Sequence, residues 1–303
     1  MSHHNKSSLY HPKYWLSWLV IATFRAVNTL PFKIQMIIGQ KLGCLIRRFS
    51  ERRRHIVETN IKLCFPELNI IEQQKLINDT FTQNSIGLFE IASAWWAKQK
   101  DLDNKYEING LEYINKIKKD GFGILLIGAH YTHLDLCGIM ISQNIPLDIV
   151  YRKNNDPVFE RIITSGRKKF FDEVLDRSKL RTIVQRLRDG RIVWYTPDQD
   201  FGGKHSIFAP FFGVNASTIT TPARLLAMGN AKPISVHFCR DPHTHKYLIN
   251  FKPIDRSYPT GDDYQDACIL NRSIEEDIRQ QPDQYMWVHR RFKTRPNGEQ
   301  SLY

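Results

Sequence analysis

From Gly121 onward the chain alternates short apolar runs with helical patterns, and this alternation limits the folds open to it. Strand-like runs fall at 124–127, 147–151, 192–195, 233–238 and 247–251. Helical patterns fall near 136–143, 157–171, 179–189, 221–228 and 273–280. Such an order predicts an α/β fold, a mixed β-sheet flanked by helices. In sheets of this kind, sites form in the crevice beyond the strand ends. The stretch "GILLIGAHYTHLDLCG", residues 123–138, places His130, His133 and Asp135 just past an apolar strand. Location alone therefore directs attention to it.

The net charge of +12 over 303 residues implies an anionic partner: a nucleic acid, an anionic lipid surface or a phosphorylated substrate. No RNP motif, zinc finger or convincing helix-turn-helix accompanies it, so no nucleic acid is expected. The five cysteines are scattered, with no CxxC, which fits a reducing compartment and speaks against a disulfide framework.

Residues 14–30, "YWLSWLVIATFRAVNTL", are mostly apolar. As one helix they would extend about 25 Å, slightly short of a ~30 Å hydrocarbon core. The expectation is a membrane-anchoring helix, spanning or interfacial, within an N-terminal segment 1–48; residues 49–303 form the catalytic domain. Lys33, Lys41, Arg47, Arg48, Arg52, Arg53 and Arg54 follow, and positive charge favours the cytoplasmic side. Further on, Asn69 with Glu72 three residues later reads as a capping box. Ile77, Phe81, Leu88, Ala92 and Trp95 then recur at helical spacing, as a core-facing stripe does.

His130 and Asp135 form an H-x4-D pair. A carboxylate bonded to one imidazole nitrogen fixes the tautomer, leaving the other nitrogen to take a proton from a hydroxyl. No GxSxG elbow is present. A metal site built on His130, His133 and Asp135, with Asp198 and Asp200 added by folding, is the weaker reading, since no HExxH is present; no metal or cofactor is expected. Basic clusters at Arg152, Arg161, Arg167, Lys168 and Lys169, and at Arg290, Arg291, Lys293 and Arg295, suit an anionic acceptor or a phosphopantetheine donor. "IFAPFF", 207–212, and Trp95 and Trp96 read first as core and second as walls of an apolar groove.

Taken together, "YWLSWL", "ERRRHIVETNIKLCFPEL", "GAHYTHLDL", "VYRKNNDP", "VWYTPDQDFGGKHSIFAPFFG" and "PDQYMWVHRRFKTRP" carry a resemblance over nearly the whole chain. The sequence resembles the lipid A late acyltransferases, the lauroyl/myristoyl acyltransferases of Gram-negative bacteria, within the lysophospholipid acyltransferase superfamily. The resemblance implies a glycerol-3-phosphate acyltransferase-like domain at the cytoplasmic face of the inner membrane. It implies acyl transfer from acyl carrier protein to the 3-hydroxyl of a hydroxyacyl chain on an anionic, Kdo-bearing lipid A precursor. By the family's motif, His130 matches the base, Asp135 its acidic partner and Arg167 an assisting arginine; His133 is treated as lining. Arg152, Asp198, Asp200, Arg290 and Arg291 are expected to contact substrate. The alternatives are a related acyltransferase acting on another lipid, with acyl-CoA as a candidate donor, and a membrane-tethered basic protein without catalytic activity.

Overall fold

A computed structural model describes residues 9–96, 98 and 102–303; the first eight residues of the expected anchor segment lie outside them. Four helices lead: α1 (Trp15–Val27), α2 (Phe32–Phe49), α3 (Glu51–Cys64) and α4 (Ile70–Trp96). The α/β portion then runs β1 (Tyr106–Asn109), α5 (Leu111–Lys119), β2 (Gly123–Ile127), α6 (Leu134–Ser142), β3 (Asp148–Tyr151), α7 (Pro157–Arg167), β4 (Glu173–Asp176), α8 (Leu180–Arg188) and β5 (Ile192–Tyr195). It closes with β6 (Ser206–Phe211), β7 (Val214–Ile219), α9 (Thr221–Gly229), β8 (Ala231–Arg240), β9 (Tyr247–Pro253) and α10 (Asp263–Gln280).

The main sheet has the order β1-β9-β8-β2-β5-β3-β4. All neighbours are parallel except β8 and β9, so the sheet is mixed, as the alternating pattern predicts. β2 lies between β5 and β8, and all five of its residues are buried. A strand covered on both faces reads as a continuous apolar run, which is why "GILLI" carries no alternation. Each expected strand is present. Missed were β1 and β4, which are short edge strands with alternating exposure, and the β6–β7 hairpin, which stands apart from the main sheet and packs on α10.

The capping box at the start of α4 forms: Asn69 Oδ1 accepts from the amides of Ile71 (2.9 Å) and Glu72 (3.0 Å), and Glu72 Oε2 accepts from the Asn69 amide (2.9 Å). Ile77, Phe81, Ala92 and Trp95 are buried, whereas Leu88 is exposed.

The N-terminal apolar stretch forms a shorter helix than one running over 14–30 would. Pro31 disfavours helix in the residue before it, and α1 ends at Val27 after 13 residues. At 1.5 Å per residue that is about 20 Å, well below the ~30 Å of a hydrocarbon core. Among the described residues no helix is long and apolar enough to cross a membrane. α1 instead docks through Phe24, edge-on to Phe89 and Trp95, and through Ser17, whose hydroxyl donates to Asp156 Oδ2 (2.6 Å). Trp15, Leu16 and Leu19 of α1 and Ile34, Ile37, Leu45 and Phe49 of α2 remain exposed.

α2 lies tight against α4. A Cβ at Gly43 would meet the Phe81 carbonyl oxygen at 2.7 Å, so only glycine permits this approach. Gly43→Val is expected to cost about 1–3 kcal/mol by overpacking, read as a lowered midpoint in chemical denaturation; an unchanged midpoint would mean that α2 is not seated on α4.

Candidate active site

Parallel pairing of β2 with β5 sets the site. Ile127 is in register with Tyr195. Three residues beyond Ile127 comes His130; three residues beyond Tyr195 comes Asp198. Equal offsets from a register pair bring the two side chains together at the carboxyl edge of the sheet. The chain can leave β2 there because residue 128 is glycine: a Cβ would stand 2.9 Å from Trp194 Nε1 and 3.1 Å from Val236 Cγ1.

His130 Nδ1 lies 2.6 Å from Asp198 Oδ1. Asp198 Oδ2 accepts from the His130 amide (2.9 Å) and from the Tyr285 hydroxyl (2.9 Å). Asp198 is 2% exposed. Burial pushes its carboxyl up, but the charge and ring N–H of His130, the His130 amide and the Tyr285 hydroxyl outweigh this and hold it at about 2. An ionised carboxylate can only accept, so Nδ1 carries the proton and Nε2 is the free basic nitrogen. Thr196 Oγ1 stands 3.4 Å from Nε2. The C-terminal segment braces the loop: Tyr131 bridges to Tyr285, Thr132 N donates to Gln284 O (3.0 Å), and Met286 N donates to His130 O (3.0 Å).

Asp135 takes a different partner from the one its spacing suggested. It sits in the first turn of α6, and Arg167, the last residue of α7, donates to its Oδ1 from Nη2 (2.6 Å) and Nε (3.2 Å). H-x4-D spacing across a turn and a helix start sends the aspartate toward α7, whereas strand register delivers Asp198. His130, Asp135, Arg152 and Arg167 nonetheless line one cavity of about 250 Å³, whose apolar wall includes Leu134, Ile149, Phe171, Trp194 and Phe201. Tyr151 and Arg177 line it too and were not foreseen.

The other expected contact residues separate. Asp198 is buried behind His130 and orients it, so it cannot act as a substrate ligand. Arg291 is also buried, because its guanidinium serves the core: it donates to Ser217 O (2.7 Å) and Thr218 Oγ1 (3.0 Å) and lies 4.9 Å from the Phe211 ring centre. Asp200 accepts from Thr294 N (2.6 Å), Thr294 Oγ1 (2.8 Å) and Gly202 N (2.9 Å). Asp200 and Arg290 line a second cavity of about 290 Å³ with Arg52, Arg53 and Lys293. Residues 207–212 form most of β6 and the start of the turn into β7, and do not line the first cavity. Trp95 is buried against Phe24 and Phe159.

His133 turns inward, fully buried among Tyr131, Phe238 and Tyr247. Burial first, then the nearby Arg240 charge, push its pKa well below the usual range, so it stays neutral. Among the described residues no three His, Cys, Asp or Glu side chains gather as a metal site would require. His289, missed in the sequence reading, stands with its ring centre 5.7 Å from that of His130; burial, then the charge on His130, bring its pKa down to about 4.

A fixed base beside a held guanidinium and an apolar wall is suited to activating an alcohol in greasy surroundings. A family model described as "Bacterial lipid A biosynthesis acyltransferase" matches residues 2–294. The chain is 36% identical over 298 residues to the lipid A biosynthesis lauroyltransferase of Escherichia coli (strain K12), covering 98% of this chain and 97% of that one. It is 34% identical over 294 residues to the palmitoleoyltransferase of the same organism, covering 97% and 96%. Identity to the myristoyltransferase is 26% over 298 residues, covering 98% and 92%.

The pairing has a consequence at low pH. A carboxyl depressed in the folded state, from 3.8 to about 2, adds stability above its unfolded value that is lost as pH falls through the folded one. Between pH 4 and 2 the wild type is expected to lose about 2 kcal/mol more stability than Asp198→Asn, measured by urea denaturation. Parallel pH profiles would contradict the pairing.

Proposed function

Because the chain belongs to the bacterial lipid A biosynthesis acyltransferases, and is thus an acyltransferase, we propose that the cavity at His130 transfers a fatty acyl group from acyl carrier protein. The acceptor in this reading is the 3-hydroxyl of a hydroxyacyl chain on a Kdo-bearing lipid A precursor. The observation that carries it is the 2.6 Å contact between His130 Nδ1 and a buried, ionised Asp198 at the mouth of a cavity with an apolar wall.

In this mechanism His130 Nε2 takes the proton of the acceptor hydroxyl as its oxygen attacks the thioester carbonyl. The C–O bond forms and the carbonyl oxygen gains a negative charge. Collapse breaks the C–S bond, and the leaving thiolate takes the proton back from the imidazolium. Asp198 holds the ring and offsets its transient charge. Arg167, fixed by Asp135, presents a cation to the developing oxyanion. The apolar wall of Leu134, Ile149, Phe171 and Trp194 receives an acyl chain. No cofactor or metal has a step here.

The membrane relation proposed is interfacial. The exposed apolar residues of α1 and α2, with Lys33, Lys41, Arg47 and Arg48 near them, suit the anionic cytoplasmic face of the inner membrane. Residues 1–48 would make that contact, and 49–303 would carry catalysis.

His130→Ala is expected to lower kcat by about 10²–10⁴-fold, and Asp198→Ala by a similar order. Transfer is followed by mass spectrometry of the lipid product, which also reads the length and number of chains added. Near wild-type turnover by folded, purified His130→Ala would refute the mechanism.

A further inference from the structure

The second cavity carries four cations and one carboxylate. Arg52 and Arg53 come from the first turn of α3; Arg290 and Lys293 come from the C-terminal segment; Asp200 is the acid. Asp200 is already bonded to Thr294 and Gly202. None of the four cations makes an ion pair among the described residues. Arg53 Nη1 donates to the Val288 carbonyl (3.3 Å), tying the two walls together.

This charge arrangement is locally unfavourable. The first turn of α3 holds one acid, Glu51, against Arg52, Arg53 and Arg54, so its net positive charge opposes the helix dipole, and Ser50 provides no side-chain cap there. Like charges also face one another across the cavity. Local conflicts of this kind gather at functional sites, and an anion would relieve both.

The cavity adjoins the catalytic one. Gln199 lines both, and its Nε2 lies 3.2 Å from Nε2 of His289, whose ring faces His130 at 5.7 Å. An anion held here therefore lies only a few side chains from the reacting atoms. A carrier-bound thioester has its phosphodiester at the far end of a long arm. A hydroxyacyl glycolipid has its charged groups on the sugar that bears the chain. Short reach favours the acceptor.

We propose that Arg52, Arg53, Arg290 and Lys293 bind a phosphate group on the sugar of the acceptor glycolipid while its hydroxyl reaches His130. This rests on the reading of the acceptor given above and goes beyond it in assigning the subsite. The phosphate, through the cavity between α3 and the C-terminal segment, sets which lipids can place a hydroxyl at the base.

The test is steady-state kinetics of the full-length protein with phosphorylated acceptor and with the same lipid after phosphatase treatment. Wild type is expected to show a KM on the order of tenfold or more higher for the dephosphorylated lipid. Arg53→Ala/Lys293→Ala is expected to raise KM for the phosphorylated acceptor similarly, with no further loss on dephosphorylation. Its KM for the acyl donor should stay within about twofold of wild type, and Arg53→Lys/Lys293→Arg should restore most of the acceptor affinity. A raised donor KM with acceptor KM unchanged would overturn the proposal in favour of a donor subsite; no change in either would reduce the cations to surface charge. If wild type acylates neither lipid, the functional reading fails, and equilibrium binding of the same two lipids in detergent micelles decides the subsite. Tenfold preference for the phosphorylated lipid, lost in the double variant, would sustain it; equal binding would not.

Discussion

The contact between His130 and Asp198 organises the carboxyl edge of this sheet. A buried carboxylate is costly unless every oxygen is satisfied. Here a ring N–H, a backbone amide and a tyrosine hydroxyl do so, and the residues that supply them lie far apart in sequence. The β2–β5 register places the acid under the histidine, and the segment around Tyr285 closes over both. The base is thus oriented before any substrate arrives, as a catalytic group must be if little reorganisation is to accompany reaction.

Two carboxylates near one histidine could compete for it, and the fold keeps them apart by giving each its own partner. Asp198 is buried and holds His130. Asp135 is tied to Arg167 across the cavity from α6 to α7. A base and a cation thus face the same space. A second cationic cavity begins immediately beyond His289 and Gln199. Among the described residues its four cations make no ion pair, which sets it apart from the two matched pairs.

Much of the fold was legible because the strands near the centre of the sheet are short apolar runs punctuated by glycine and polar residues. β1 and β4 escaped because four-residue edge strands leave little periodicity. The reach of α10 back to Asp263 also escaped: its first half, "DYQDACILNR", mixes polar and apolar residues without a strong stripe. In the site, His130 and Arg167 were singled out by position and company. The partner of His130 was misread because spacing along a chain says less than register across a sheet. The needed signal was present: "LLIGAH" and "VWYTPD" each carry their polar residue three positions past the strand end. Arg291 looked like part of a surface cluster, and only packing reveals that its neighbours Arg290 and Lys293 face outward while it points into the core.

The proposed chemistry depends on which acid orients the histidine. Nitrogen-15 NMR of histidine-labelled protein reads the tautomer directly, with the His130 signal assigned by its loss in His130→Ala. Pairing with Asp198 predicts an Nδ1–H imidazole in wild type and in Asp135→Ala, and a shift toward Nε2–H in Asp198→Ala. An Nδ1–H form that survives loss of Asp198 and disappears with loss of Asp135 would contradict it.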